Sequence, residues 1–248
     1  MLTRFIITLL ITTMVVRKNS LKLFFFSMKV QLITHSSVLV ELKKHLLLFD
    51  YFGQGHLNLK TNKPLYIFNS HAHSDHYAPA IFNIKHPKKK YILSNDIKPQ
   101  QDAFMMGPHE SLDIDDLHIK TLFSTDQGVA FIVEVEDKKI YFAGDLNDWH
   151  WQEDNEQDHL DNIYQHDTYL KELSYISKNH FDIAFVPVDK RLDEHYIDGL
   201  REFDQNVKAK YIMPIHYFGH YEISEKLKKE SLNLSAALLY PDHDYFTF

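Results

Sequence analysis

A short apolar run, Leu65-Tyr66-Ile67-Phe68, passes straight into Asn69-Ser70-His71-Ala72-His73-Ser74-Asp75-His76. No other passage constrains the chain as strongly, because the run reads as a buried strand and the next eight residues carry a dense set of ligand atoms. Three imidazoles and a carboxylate between positions 71 and 76 suit zinc first, with manganese or iron as alternatives. His71 and His73 point to one side of an extended turn while Asp75 and His76 face a second position, so one or two divalent metals are expected. The blander alternative is a histidine-rich surface loop in a chain with 17 histidines. The density of the motif and its place after a strand favour the metal.

The chain has no cysteine, which excludes disulfides and thiolate sites and leaves any metal to His, Asp and Glu. Lys plus Arg number 27 against 34 Asp plus Glu, a formal net charge of -7. That balance disfavours non-specific nucleic-acid binding. At 248 residues, without internal repeats or Pro/Ser-rich linkers, one α/β domain over 28–248 is expected.

Residues 1–27 differ from the rest. Arg4 precedes an apolar stretch from Phe5 to Val16, followed by Arg17-Lys18 and a second patch at Leu23 to Phe26. The stretch is short for a membrane span of about 20 residues, and no small-residue cleavage site follows it. Met28-Lys29-Val30 opens cleanly into a first strand, so 1–27 is read as an N-terminal extension. A mis-assigned start, with a cytoplasmic protein, is the first reading; an uncleaved membrane anchor or export segment is the second.

Val30 to Thr34, Val38 to Leu42 and Leu46 to Phe49 predict a β-meander that ends at Asp50. A carboxylate there is placed either to start a turn before Gly53 or to hold a metal-bound imidazole. Leu117 to Phe123, Val129 to Val135 and Ile140 to Ala143 predict a second set of strands, ending in Gly144-Asp145. The last third alternates helix (170–178, 193–203, 221–229) with strand (183–187, 211–214, 236–240), and Pro214-Ile215-His216-Tyr217 sets another His beyond a strand end. Residues 145–170 lack Lys and Arg and carry seven acids beyond Asp145 together with Trp149 and Trp151. They read as an acidic insertion beside the site, its tryptophans core anchors or a pocket wall, and such a lip argues against a nuclease.

In the order Asp50, His71-x-His73-x-Asp75-His76, Gly144-Asp145, His216, the chain resembles the metallo-β-lactamase-fold hydrolases, within their compact lactonase-like branch, over nearly everything from Met28 onward. The resemblance implies a four-layer αββα sandwich with metals at one edge between the sheets. It implies His71 and His73 on a first metal, Asp75, His76 and His216 on a second, Asp145 bridging, and Asp50 orienting a ligand. The family's third His for the first metal is missing: Ser124 stands in that place, and Asp126 or His35 is left to complete the set.

The function implied is hydrolysis of a small ester, lactone or phosphoester by a metal-activated water. Asp75 orients that water or carries its proton, and His35 and Tyr217 are candidates for steadying an oxyanion. The alternative is a non-catalytic metal-binding or ligand-sensing protein that keeps the fold, a reading that Ser124 favours.

Overall fold

The computed structural model describes residues 28–100, 102–217, 219–220, 222–230, 232–240 and 245–248. The apolar extension at 1–27 lies outside the described residues. β1 (Met28–Thr34), β2 (Ser37–Leu42) and β3 (Leu46–Phe49) form the expected antiparallel meander. β4 (Leu65–Asn69), β5 (Lys89–Ser94) and β6 (Ala103–Met106) extend it in parallel, and β14 (Tyr245–Thr247) pairs antiparallel with β1 at the other edge.

Side chains in this sheet alternate between two apolar clusters. Val40, Leu47, Phe49, Tyr66, Phe68 and Ile92 face the second sheet, whereas Leu39, Leu46, Leu48, Leu65, Ile67 and Leu93 form a separate cluster on the outer face. Burial on both faces is why β3 and β4 read as unbroken apolar runs. The outer cluster is covered by Tyr51, Leu57 and Leu59 of the following loop and by Ile81 and Phe82 of a 3-10 turn, Pro79–Asn83.

The second sheet runs β13 (Ala237–Leu238), β12 (Lys208–Ile215), β11 (His180–Pro187), β10 (Lys138–Phe142), β9 (Val129–Val135), β8 (Leu117–Phe123), β7 (Ser111–Ile114). β10 to β13 are parallel and β7 to β10 antiparallel. Helix α2 (Asp198–Asn206) packs on β11 and β12, and α1 (Glu156–Ile176) packs on α2; α3 (Glu222–Lys229) buries Ile223 and Leu227. The αββα sandwich is therefore present. Its layer outside the first sheet is a loop and a 3-10 turn rather than a long helix.

Parallel strands put all their C-terminal ends at one edge, where such sheets bind ligands. Here that edge receives the segments after β3, β4, β10, β11 and β12, together with the β1–β2 and β8–β9 turns, whose partners run antiparallel. Phe49 stacks on Phe68 at 4.8 Å within its own sheet and on Phe142 at 4.7 Å across the interface. These rings align the ends of β3, β4 and β10 directly beneath Asp50, the histidine motif and Asp145.

Some boundaries differ from the sequence reading. α1 starts at Glu156, capped by Asn155, whose side chain accepts from the backbone N–H of Gln157 and Asp158. Its buried side chains are Asn162, Tyr169, Glu172, Leu173 and Ile176, so only the second half carries an apolar stripe. β6 and β7 are strands that the sequence reading did not identify. Among the described residues no helix is long and apolar enough to cross a membrane.

Candidate metal centre

Asp50 is fully buried and sits at φ 43, in the left-handed region, directly after β3. One of its oxygens accepts the Ser70 backbone N–H at 2.7 Å; the other accepts the Ser70 hydroxyl at 2.6 Å and Nδ1–H of His76 at 2.6 Å. Ser70 has one hydroxyl proton and gives it to Asp50, so the Nδ1 of His71, 2.9 Å away, must donate to the Ser70 oxygen. A single carboxylate thus fixes the tautomer of two histidines and turns both Nε2 lone pairs to the same side.

The motif loop is held in place from several directions. The carbonyl of His73 accepts from the backbone N–H of His76 at 3.0 Å and of Tyr77 at 2.8 Å, which folds His76 back over His71. Asp96 accepts from the Ala72 N–H at 2.9 Å and from Gln127 at 2.8 Å, tying the motif to the β8–β9 turn. Gly128, at φ 73 in that turn, approaches so closely that a Cβ there would lie 2.0 Å from the Ser70 carbonyl oxygen. Gly144 does the same from β10: a Cβ would lie 2.6 Å from that of Ser70.

Asp145, 3% exposed, stands at the centre. Its Oδ2 lies 3.3 Å from Nε2 of His71; its Oδ1 lies 3.2 Å from Nε2 of His76 and 3.4 Å from Nε2 of His216. His216, at φ 67 after β12, has its Nδ1 3.0 Å from Oδ2 of Asp189, which follows β11. Asp189 orients His216 as Asp50 orients His76. Sequence reasoning missed Asp189, although an acid just past the strand ending at Pro187 carries the signal that singled out Asp50 and Asp145.

Apart from the cluster that Asp50 makes with the two histidines it orients, His71 and His76, the donors fall into two groups. His71, His73 and Asp145 bring ligand atoms within 4.8 Å of one another, and so do His35, Asp75, His76 and His216. The Nε2 atoms of His71 and His76 and Oδ1 of Asp145 are buried without a hydrogen-bond partner. Buried polar atoms are rarely left so, and lone pairs aimed at one another across more than 3 Å are what a bridging carboxylate between two cations requires. The donor set fits divalent metal ions.

A family model described as the beta-lactamase superfamily domain matches residues 29–216. The chain belongs to the metallo-β-lactamase superfamily. A comparison with curated proteins finds no match. Among solved structures the chain is similar to a metallo hydrolase from the archaeon Ignicoccus hospitalis, at 17% identity and TM-score 0.59, over 89% of this chain and 98% of the other. It is also similar to an isothiocyanate hydrolase from Delia radicum gut bacteria, at 13% and 0.53, over 89% and 99%. A diiron β-hydroxylase from Streptomyces venezuelae matches at 11% and 0.57, over 90% of this chain and 54% of that one. Identities this low establish the shared fold alone.

Within this superfamily fold the expected residues come together, with differences of placement at His35 and Tyr217. His35, at φ 48 in the β1–β2 turn, joins Asp75, at 3.3 Å, and the second group rather than completing the first. Ser124 is buried in the β8–β9 turn, and Asp126, about half exposed, lies 3.8 Å from Nδ1 of the equally exposed His73. Tyr217 is 1% exposed and packs into the apolar core, away from the pocket. The pocket, about 230 Å³, opens above the centre between His73, Asp75, Asp126, Asp145 and His216 on one side and Trp149, Trp151, Gln165 and Arg191 on the other. Trp149 is a core anchor, its Nε1 donating to the Asp145 carbonyl at 2.9 Å, while Trp151 is 42% exposed and forms a wall.

Electrostatics separate the histidines of this metallo-β-lactamase-fold chain. Burial pulls His71 and His35 below the usual imidazole value. Burial pulls on His76 and His216 too, but Asp145 with Asp50 raises the first and Asp145 with Asp189 raises the second to about 10. Burial pushes Asp145 up, yet the surrounding imidazoles hold it well below the carboxylate range. Metal-free protein therefore carries a proton on His216 at neutral pH, and a metal must displace it. Calorimetric metal titration at pH 7 in buffers of different ionisation enthalpy is expected to show proton release from at least His216, about one proton or more per chain, with apparent affinity rising with pH. Heats independent of the buffer would contradict this protonation pattern.

Proposed function

We propose that the chain is a metal-dependent hydrolase acting on a small ester, lactone or phosphoester, with zinc as the first metal and manganese or iron as alternatives. The observation that carries this reading is the convergence of three Nε2 atoms, from His71, His76 and His216, on the two oxygens of one buried carboxylate. His71, His73 and Oδ2 of Asp145 would hold one ion; His76, His216 and Oδ1 of Asp145, with Asp75 or His35, the other. Ions there would supply Lewis acidity and a water acidified toward neutrality.

The protein's own groups divide the remaining tasks. Asp75 lines the pocket, and although burial pushes its carboxyl up, the His35 hydrogen bond and the His76 charge leave it well below the usual range. A carboxylate held that low is a weak base, so Asp75 serves as a ligand or hydrogen-bond acceptor that orients water rather than as the carrier of its proton. His35, kept neutral by burial, steadies Asp75. The pocket volume suits a small molecule, and the acids of 145–170 disfavour nucleic acid.

The second reading, a non-catalytic metal-binding protein, is favoured by Ser124 in place of a third imidazole beside His71 and His73. One experiment separates them. Protein purified without chelator or His-tag is counted for metal by plasma mass spectrometry, then assayed on bis(4-nitrophenyl) phosphate, a 4-nitrophenyl ester and a lactone with added zinc, manganese or iron. Turnover that chelator abolishes and metal restores is the expected result; no turnover from fully metallated protein across the panel supports the binding reading.

A further inference from the structure

The pocket above the centre is continuous in its lining with an outer pocket of about 470 Å³ that includes His150, Leu192 and His195. Arg191 and Trp151 line both, so they form the neck between the metal centre and the outer space. Arg191 is the sole cationic Lys or Arg side chain among the described residues lining either pocket. Apart from the histidines, the other ionisable groups there are acids: Asp75, Asp126 and Asp145 inside, Glu153, Asp193 and Glu194 outside.

The guanidinium is half exposed and rigidly held. Its Nε donates to both oxygens of Asp189, at 3.0 and 2.8 Å, and its Nη2 donates to one of them as well, a fork-on-carboxylate pairing that fixes the plane of the group. Its central carbon lies 5.5 Å from the Trp151 ring centroid, and Trp151 in turn stacks on Trp149 with centroids 5.9 Å apart and planes within 7°. Lys190, its neighbour in sequence, is turned away to Glu222 at 2.9 Å. A fixed, permanently charged guanidinium beside a flat aromatic wall, at the mouth of a pocket whose carboxylates repel an anion, is a place where an anion is favoured.

We propose that Arg191 and Trp151 are the substrate-recognition pair: Arg191 binds an anionic oxygen, carboxylate or phosphoryl, carried next to the scissile bond, and Trp151 takes the flanking planar group. This rests on the hydrolase reading for the word substrate, but the binding it describes does not depend on turnover. Arg191 is thereby a specificity residue, and its link through Asp189 to His216 couples an occupied neck to the metal centre.

The chain has two tryptophans, and both belong to this site. Intrinsic fluorescence of the full, metal-loaded protein therefore reports on the neck. The probes are 4-nitrobenzoate, its neutral analogue 4-nitrobenzamide, and 4-nitrophenylphosphonate, titrated into wild type, Arg191→Gln, Arg191→Met and Trp151→Leu, with metal per chain measured for each. Arg191→Gln and Arg191→Met are expected to weaken the anions about tenfold or more and leave the amide within about twofold; Trp151→Leu is expected to weaken all three. Whichever anion wild type binds more tightly names the oxygen source.

Anion affinity unchanged in the Arg191 variants at equal metal, or equal weakening of anion and amide, overturns the proposal, as does wild type that binds none of the probes. Loss of metal from both Arg191 variants assigns the residue to the support of Asp189 and overturns it too. An anion contrast without turnover of any ester keeps the recognition pair and sinks the hydrolase reading, whereas turnover without the contrast does the reverse.

Discussion

Asp145→Ala is expected to release both metals together. The two oxygens of Asp145 address Nε2 atoms of both groups of donors, Oδ2 that of His71 and Oδ1 those of His76 and His216, whereas Asp50 meets His76 at Nδ1. Orienting groups around metal ligands are worth about 10- to 100-fold in affinity or activity, so loss of the shared ligand itself is expected to exceed about 100-fold in turnover. The control is stability without metal. Removing one partner of a buried ion pair costs about 3–5 kcal/mol, and here one carboxylate serves three buried imidazoles.

The pH dependence of that cost is fixed by the shifts. Asp145 has a depressed pKa, so its contribution is present above its ordinary value of 3.8 and is lost as pH falls below it. His216 has a raised pKa, so its contribution is complete below 6.5 and is lost as pH rises through about 10. The gap in melting temperature between metal-free wild type and Asp145→Ala is therefore expected to be widest between about pH 4 and 6.5. A variant that keeps one metal per chain would show that the two groups bind independently. A gap that does not vary with pH would show that the imidazoles draw their charge from elsewhere.

The candidate ligands and an orienting acid were legible in the sequence because each follows an apolar strand: Asp50 after Phe49, His71 after Leu65–Asn69, Asp145 after Phe142, His216 after Ile215. The period-two pattern of strands and the parallel order of their ends turn such a list into a place. What the sequence hid was the set of groups defined by tertiary approach. Ser70 relays between Asp50 and His71 with no pattern of its own, and Arg191 gains meaning only where Trp151 meets it from a distant loop. His35 was visible as a histidine, but its place beside Asp75 depends on the β1–β2 turn sharing an edge with β3 and β4. The first half of α1 escaped because an exposed helix has no apolar stripe to betray its period.

Asp50 separates folding from metal binding, and two substitutions are expected to divide the effects. Asp50→Ala leaves the Ser70 N–H, the Ser70 hydroxyl and the His76 Nδ1–H without their acceptor in a fully buried place. At about 1–3 kcal/mol for each unsatisfied group, and with a backbone at φ 43 that aspartate tolerates better than alanine, the loss is a large share of a typical domain's stability. The expected result is a steep fall in melting temperature with or without metal. Asp50→Asn keeps the shape and one acceptor oxygen, but its amide N–H₂ meets either Ser70 or His76 donor to donor. His76 escapes that clash by moving its proton to Nε2, the atom that points at Asp145. The asparagine variant is therefore expected to fold close to wild type while its metal affinity falls about 10- to 100-fold, read by metal titration beside a thermal melt. Wild-type metal affinity in Asp50→Asn would show that the carboxylate does not set the His76 tautomer, and the role of Asp50 would then be confined to holding the end of β3 against Ser70.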